Sequence, residues 1–209
     1  MNFKKTNNIT GWIVCVIACT VYILTREGTA SFWDCGEFIS AAYKLQIPHA
    51  PGAPLVLLLD RLCMIFTGAG PHTAALKANL VSALASGFTI LFLFWTITHF
   101  AKKLMISKKG DLDLESTLII MGAGVVGALA YTFSASFWFS AVEGEVYALS
   151  SFFTAIIFWA MLKWESHSEE PHADRWIVFI SFMMGLAIGV HLLCILTIPA
   201  VVMIYYFKK

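Results

Sequence analysis

Charged side chains are scarce in this sequence: Asp, Glu, Lys and Arg together supply only 13% of its 209 residues, whereas apolar residues supply 59%. The mean hydropathy of +0.77 exceeds what a soluble domain of this length needs to build its core. A water-soluble globular protein is therefore excluded, and we expect an integral membrane protein. The net charge of +1 points to no particular partner, and nothing in the sequence indicates a nucleic-acid partner.

Cysteine motifs are missing as well. The chain has five cysteines but no CxxC motif, and no cysteine and histidine stand at the spacing of a zinc site. Cys15, Cys19 and Cys194 lie in apolar runs, where cysteine usually packs as a small apolar residue. A zinc centre is therefore not expected.

The first apolar run, 9–25, lacks the small-x-small motif at which signal peptides are cleaved, since Arg26-Glu27-Gly28 follows it. It therefore predicts a membrane span that is retained. Further apolar runs predict spans at 74–100, 118–133 and 146–162, and a pair of short helices within 175–207, split near Gly189. The predicted fold class is an all-α integral membrane protein, a polytopic helical bundle of about six spans.

The loop between the first two spans, 28–73, concentrates acidic residues. Ser31 lies three residues before Asp34, which predicts a short helix that begins near Phe32 with Ser31 as its N-cap. On such a helix, Asp34 and Glu37 would lie on neighbouring sides of one face. The loop is therefore a candidate for acid–base chemistry.

Three prolines, at positions 48, 51 and 54, follow the acidic residues. They would end the first loop helix and hold the backbone extended until a second helix begins at Pro54. The apolar stretch 55–66 covers about 18 Å at ~1.5 Å per residue, too short for a hydrocarbon core of ~30 Å. We therefore expect interfacial helices in this outer loop rather than a further span.

The distribution of Lys and Arg predicts the orientation of the bundle. If 55–66 lies on the surface, ten basic residues fall on one side of the membrane and four on the other. The ten are Lys4, Lys5, Lys102, Lys103, Lys108, Lys109, Lys163, Arg175, Lys208 and Lys209. The four are Arg26, Lys44, Arg61 and Lys77. The positive-inside rule then predicts a cytoplasmic N-terminus and places the acidic loop outside.

A second acidic segment, in the loop 134–146, falls on the same predicted outer side. It carries Glu143 and Glu145, which are two residues apart, so on a helix they would point in different directions and only one would face a common site. Every candidate carboxylate is therefore expected at one end of the bundle.

Three separated motifs carry a resemblance to a known family. They are Phe32-Trp33-Asp34-Cys35-Gly36-Glu37-Phe38, Phe137-Trp138-Phe139-Ser140-Ala141-Val142-Glu143-Gly144-Glu145-Val146-Tyr147 and Gly189-Val190-His191-Leu192-Leu193. They resemble segments of the bacterial relatives of the animal transmembrane protein O-mannosyltransferase family, within the GT-C superfamily of membrane glycosyltransferases. Members of that family are much longer, so the resemblance implies that this chain is a fragment or a truncated copy.

The resemblance implies a GT-C-like fold in a bacterial inner membrane. It further implies that a sugar, mannose favoured, moves from a polyprenyl phosphate to Ser or Thr hydroxyls of exported proteins. Asp34 matches the catalytic acidic residue of the first outer loop and would act as the base in a single displacement with inversion. Glu37, Glu143 and Glu145 would then orient the acceptor, bind sugar hydroxyls or hold a divalent cation.

Three other candidate residues keep two interpretations each. His49 could contact the donor phosphate or be a solvated loop histidine. Lys77 could meet the lipid-linked phosphate or extend towards lipid headgroups. His191 is ionisable within an apolar run, which makes it a functional candidate, but it could also satisfy a broken backbone near Gly189.

A non-catalytic membrane protein, such as a transporter half or an assembly subunit, is the alternative function. Transporters place ionisable groups near the bilayer midplane, often on broken helices. Only His191, beside Gly189, fits that description, whereas the acidic residues lie at the ends of predicted spans. The sequence therefore favours the glycosyltransferase.

Overall fold

A computed structural model describes residues 2–109 and 112–208, except for the side chains of 107–109. Of the basic residues counted above, Lys209 lies outside the described residues, as do the side chains of Lys108 and Lys109. Of the described residues, 81% are helical and none forms a strand, which confirms the predicted all-α class. In chain order the α-helices are α1 (Phe3–Thr25), α2 (Cys35–Lys44), α3 (Pro54–Phe66), α4 (Ala74–Lys109), α5 (Leu114–Thr132), α6 (Ala135–Val142), α7 (Val146–His167), α8 (Asp174–Ile188) and α9 (Thr197–Lys208), with 3₁₀ segments at Pro71–Thr73 and Leu192–Leu196.

Four of the described helices, α1, α4, α5 and α7, are long and apolar enough to cross a membrane. The last two are shorter, since α8 has 15 residues and α9 has 12, against the ~20 that a span requires. A turn at Gly189 and the 3₁₀ segment Leu192–Leu196 take up the residues between them. The protein is a multi-pass helical membrane protein, but the predicted count of about six spans is not confirmed.

The 36-residue helix α4 lies at the centre of the bundle and packs against α1, α5 and α7. Glycines allow these helices to approach closely. A Cβ atom added at Gly124 of α5 would lie 2.7 Å from Cε2 of Phe94, and one at Gly11 of α1 would lie 2.7 Å from Nε1 of Trp95. Close packing between spans therefore depends on these small residues, as in other membrane bundles.

Two apolar clusters lie against α4. One joins α1, α4, α5 and α6 and includes Tyr22 and Phe94, while the other joins α2, α3, α4, α7 and α8 and includes Phe38 and Val56. The buried Tyr22 hydroxyl donates a hydrogen bond to the carbonyl of Thr132 at 2.8 Å, so its polar group is satisfied. The second cluster holds the two loop helices against the spans and thereby positions the first acidic segment.

The first loop helix does not begin where the sequence predicts. Trp33 has a φ angle of 64°, in the left-handed region, so the backbone around it cannot form a first helical turn. Helix α2 therefore begins at Cys35 rather than near Phe32, and Asp34 rather than Ser31 takes the N-cap position. The side chain of Asp34 makes no capping hydrogen bond.

The second loop helix, α3, begins at Pro54, the residue at which the prolines predict a helix start. The N–H of Leu55 donates a hydrogen bond to the carbonyl of Gly189 at 2.9 Å. This bond ties the start of α3 to the end of α8, so the third motif of the sequence lies beside the loop that contains α2 and α3.

Candidate functional site

The loop between α1 and α4 is joined to the second acidic segment through the backbone. The N–H of Glu27, just after α1, donates a hydrogen bond to the carbonyl of Val142 at 2.9 Å. The side chain of Asn79 in α4 donates to the carbonyls of Glu27 and Thr29, at 2.7 and 3.3 Å. Because Asn79 is fully buried, these bonds fix the start of the loop against the bundle.

The second acidic segment packs against α2 and α4 at Gly144. A Cβ atom added to this glycine would lie 2.9 Å from Oδ1 of Asn79, 3.2 Å from Cγ1 of Ile39 and 3.3 Å from Cβ of Ala78. No side chain larger than hydrogen fits without a shift of these neighbours. Gly144 therefore lets the two acidic segments of the sequence meet.

Glu143 and Glu145 are both buried, with 5% and 6% of their surface exposed. They lie between helices, with extended backbones, so the helical spacing assumed in the sequence analysis does not apply. Both carboxyl groups approach the buried thiol of Cys35, whose Sγ lies 3.6 Å from Oε1 of Glu145. The expectation that only one of them faces a common cluster is therefore wrong.

Burial raises the pKa of both glutamates above the usual range of a carboxyl group. A hydrogen bond from Ser31 opposes this rise at Glu143, and one from Cys35 opposes it at Glu145. The charge of Asp34 adds to the rise at Glu145. Both carboxyl groups are therefore held in the interior and stay protonated to a higher pH than an ordinary glutamate.

Glu37 holds the proline-rich segment that follows α2. Its Oε1 accepts a hydrogen bond from the backbone N–H of His49 at 2.6 Å, and its Oε2 lies 2.8 Å from Nδ1 of the same residue. The His49 ring packs edge-on against Phe38, with ring centroids 5.7 Å apart. Nε2 of His49 thereby comes to 3.9 Å from Oδ2 of Asp34. The structure thus brings Asp34, Glu37 and His49 together.

The contact between Glu37 and His49 shifts the titration of both groups. The hydrogen bond to Glu37 raises the pKa of His49, and the hydrogen bonds from His49 lower the pKa of Glu37. The Glu37–His49 pair stabilises the folded state. On the alkaline side this stabilisation is fully present below the ordinary pKa of histidine and is lost as pH rises through the raised pKa of His49. On the acid side it is lost as pH falls through the lowered pKa of Glu37. The charged pair therefore forms between these two pKa values.

Replacing Glu37 with Gln tests this contact. We expect the pKa of His49 to lie above 6.5 in the wild type and to fall towards that value in Glu37→Gln, because a neutral amide stabilises the imidazolium less. NMR titration of the ring in detergent micelles measures both values.

The matched control is Glu170→Gln, which removes an acid 3.9 Å from His167. It should leave the pKa of His49 unchanged. A pKa of His49 that is the same in Glu37→Gln and in the wild type would contradict the assignment.

Asp34 differs from the other acids of the cluster. Its side chain is 55% exposed, and among the described residues its carboxylate accepts no hydrogen bond. Its backbone is held by α2, because its carbonyl accepts a hydrogen bond from the N–H of Phe38 at 3.0 Å. The fold therefore fixes the backbone of Asp34 but leaves its carboxylate accessible.

The same residues could hold a metal ion. Asp34, Glu37 and His49 each offer one ligand atom, and these atoms lie within 4.8 Å of one another. Carboxylate oxygens together with an imidazole nitrogen suit divalent cations. Nε2 of His49 is the free ring nitrogen, since Nδ1 faces Glu37. The divalent cation stays a prediction.

Two predicted residues lie apart from this cluster. Lys77, in the first turns of α4, is half-buried and its charge acts on the thiol of Cys63 in α3. Nδ1 of His191 accepts a hydrogen bond from the N–H of Leu193 at 3.1 Å and caps the 3₁₀ segment. The structure thus supports the interpretation in which His191 satisfies the backbone near Gly189. Its ring also lies 5.7 Å from that of Tyr147.

Sequence reasoning missed Asn79 and Cys35. A buried amide near the end of an apolar span is a signal that could have found Asn79, because such groups need partners in a membrane. Cys35 stands inside the first motif, and its place between Asp34 and Glu37 could have drawn attention to it. All five cysteines are free thiols.

Comparison with known proteins finds the family that the three sequence motifs resemble. The family model described as the N-terminal domain of protein O-mannosyl-transferase TMEM260 matches residues 34–209. Protein O-mannosyl-transferase tmem260 of Dictyostelium discoideum is 23% identical over 154 residues, which are 73% of this chain and 17% of that protein. The mouse protein O-mannosyl-transferase TMEM260 is 25% identical over 182 residues, 84% of this chain and 23% of the relative.

The chain thus spans less than a quarter of the length of these curated relatives. No solved structure matches it. Because the family model covers most of the chain and begins at Asp34, the chain belongs to the family of the protein O-mannosyl-transferase TMEM260 N-terminal domain.

Proposed function

We propose that this chain is the membrane catalytic part of a glycosyltransferase of the bacterial inner membrane. It moves a sugar, mannose favoured, from a polyprenyl phosphate to Ser or Thr hydroxyls of exported proteins on the outer face. The relatives' names support protein mannosylation. The observation that carries the proposal is the accessible carboxylate of Asp34, which has no hydrogen-bond partner among the described residues and lies where both acidic segments meet.

Asp34 is the base in this proposal. A serine hydroxyl is a weak nucleophile, and a carboxylate in hydrogen-bond reach accepts its proton as the oxygen attacks the anomeric carbon. The bond from that carbon to the phosphate oxygen breaks, and the phosphate leaves with the electron pair. Attack from the opposite side inverts the configuration. No second carboxyl group is needed as an acid, because the phosphate leaves without protonation.

The neighbouring acids are less suited to the role of base. Both oxygens of Glu37 contact His49. Glu143 and Glu145 are buried, with 5% and 6% of their surface exposed, so an acceptor hydroxyl reaches them less easily than it reaches Asp34. Protonated His49, 3.9 Å from Asp34, has the right charge to attract the donor phosphate. A divalent cation held by Asp34, Glu37 and His49 could serve the same purpose, and chelation during the transfer assay distinguishes the two arrangements.

A transfer assay on the purified full chain tests the proposal. The donor is a short-chain polyprenyl-phosphate mannose and the acceptor is a peptide rich in Ser and Thr. Mannosylated peptide supports a catalytic module that works alone. Donor binding without transfer would place the acceptor machinery in the part that the longer relatives possess. Absence of donor binding would contradict the proposal and favour the non-catalytic alternative.

The proposed orientation can be tested by labelling. Phe32 is 85% exposed beside Asp34, and Glu170 is exposed in the loop between α7 and α8. In a variant whose native cysteines are replaced by serine, we expect Phe32→Cys in intact spheroplasts to react with a membrane-impermeant maleimide. Glu170→Cys should react only after the membrane is opened. The reverse pattern would overturn both the orientation and a reaction on the outer face.

A further inference from the structure

A cavity lies at the end of the bundle opposite to Asp34. It has a volume of about 510 Å³. Its walls come from the start of α1 and the last turns of α4 and α7, including Lys4, Lys102 and Lys163. Trp12 is the lining residue of α1 nearest to the acidic cluster, and the helix continues from it to Thr25 over about 20 Å. The cavity is therefore a site distinct from the proposed active site.

Three lysines give the cavity its charge. Within the part of the chain that the structure describes, Lys4, Lys102 and Lys163 have no carboxylate within 4 Å. The neighbouring Lys103, which does not line the cavity, is neutralised by Glu165 at 2.5 Å. Three uncompensated ammonium groups around one cavity repel each other, and a bound anion would relieve this repulsion.

Aromatic rings form the apolar wall of the same cavity. Nζ of Lys163 lies 5.5 Å from the ring centroid of Trp159, and Nζ of Lys102 lies 5.0 Å from that of Phe3. The ring of Trp95 lies 5.6 Å from that of Trp159. Tryptophan beside lysine is typical of the membrane–water boundary, where apolar chains and charged headgroups meet.

An unpaired polar atom also marks the cavity. Oδ1 of Asn7, a lining residue, is buried and has no hydrogen-bond partner among the described residues. An unpaired buried acceptor is costly unless a ligand supplies a donor. A hydroxyl group of a lipid headgroup would be such a donor. The site therefore combines cations, aromatic rings and an acceptor.

We propose that this cavity binds the phosphate headgroup of an anionic phospholipid from the adjacent leaflet. Basic pockets between spans bind such headgroups, and the negative potential of an anionic leaflet adds to the attraction. A soluble phosphate ester shares the phosphate chemistry, but the aromatic wall and the place at the ends of three spans favour a lipid. This inference does not depend on mannosyl transfer, so it stands or fails independently of the proposed function.

Binding of phosphatidylglycerol and phosphatidylcholine to the purified full chain tests the proposal. We expect native mass spectrometry to show preferential binding of phosphatidylglycerol. In the double variant Lys102→Gln/Lys163→Gln, the affinity should fall by about fivefold for each lysine. The matched control is Lys5→Gln/Lys208→Gln, which removes two exposed lysines at the same end that do not line the cavity. It should change the affinity less than twofold.

Each other outcome overturns the proposal. Equal losses in the two double variants would mean that only the general charge of this end attracts the lipid. Equal binding of both phospholipids by the wild type would exclude a site for anionic headgroups, and this measurement does not depend on whether the variants fold. Displacement of phosphatidylglycerol by millimolar glycerol 3-phosphate would identify a soluble phosphate ester as the ligand instead.

Discussion

Replacing Asp34 with Asn should lower the rate of mannosyl transfer by about 10²- to 10⁴-fold, the usual contribution of a general base. The amide has the shape of the carboxylate but cannot accept the proton of the acceptor hydroxyl. Because the side chain is 55% exposed and makes no capping hydrogen bond, its replacement leaves no buried group unpaired. We therefore expect unchanged membrane insertion and donor binding. The measurement is peptide mannosylation by equal amounts of wild type and variant in detergent.

The control for this variant is Asp174→Asn, at the first residue of α8 and at the other end of the bundle. It makes the same chemical change in an exposed acid and should transfer mannose at the wild-type rate. Undiminished transfer by Asp34→Asn would remove Asp34 as the base. Loss of donor binding together with transfer would instead assign Asp34 to donor binding.

The helical class could be predicted from the sequence because it depends on apolar length alone. Runs that cover 9–25 and 146–162 stand out against polar flanks, and α1 and α7 contain them. For the last part of the chain the sequence predicts a pair of short helices split near Gly189, and α8 ends at Ile188, directly before that residue. The turn at Gly189 leaves each helix shorter than a span.

Local geometry explains the misplaced start of α2. The pattern of Ser31 followed by Asp34 is typical of a helix N-cap, but Trp33 takes a positive φ angle that residue type does not predict. The consequence bears on function. An Asp34 inside the first turn would have faced the helix dipole, whereas at the N-cap position without a capping bond its carboxylate is available to a ligand.

The candidate site could be predicted only in part. The proximity of Asp34 to Glu37 follows from their spacing, and the resemblance associated them with Glu143 and Glu145. The contacts that join the segments could not be derived, because Asn79 and Gly144 lie far apart in the sequence and neither belongs to a local pattern. Long-range contacts of this kind depend on shape, which a single sequence does not reveal.

Replacing Gly144 with Ala should disrupt the meeting of the two acidic segments. The added methyl group would lie 2.9 Å from Oδ1 of Asn79 and 3.2 Å from Cγ1 of Ile39. Overpacking of this kind costs about 1–3 kcal/mol. Since Asn79 also holds the start of the loop that follows α1, its displacement would weaken the bonds to Glu27 and Thr29. We expect a lower melting temperature in detergent and reduced mannosyl transfer.

The matched control is Gly122→Ala in α5, where an added Cβ would meet nothing within 4 Å. It should keep the wild-type melting temperature, because alanine is a better helix former than glycine and causes no overlap. If Gly144→Ala is as stable and as active as the wild type, the tight contact does not position the site. A variant that keeps its melting temperature but loses transfer would show that Gly144 acts by placing Glu143 and Glu145 beside Asp34. Loss of both together, the result we expect, would show that the same contact stabilises the fold and positions the site.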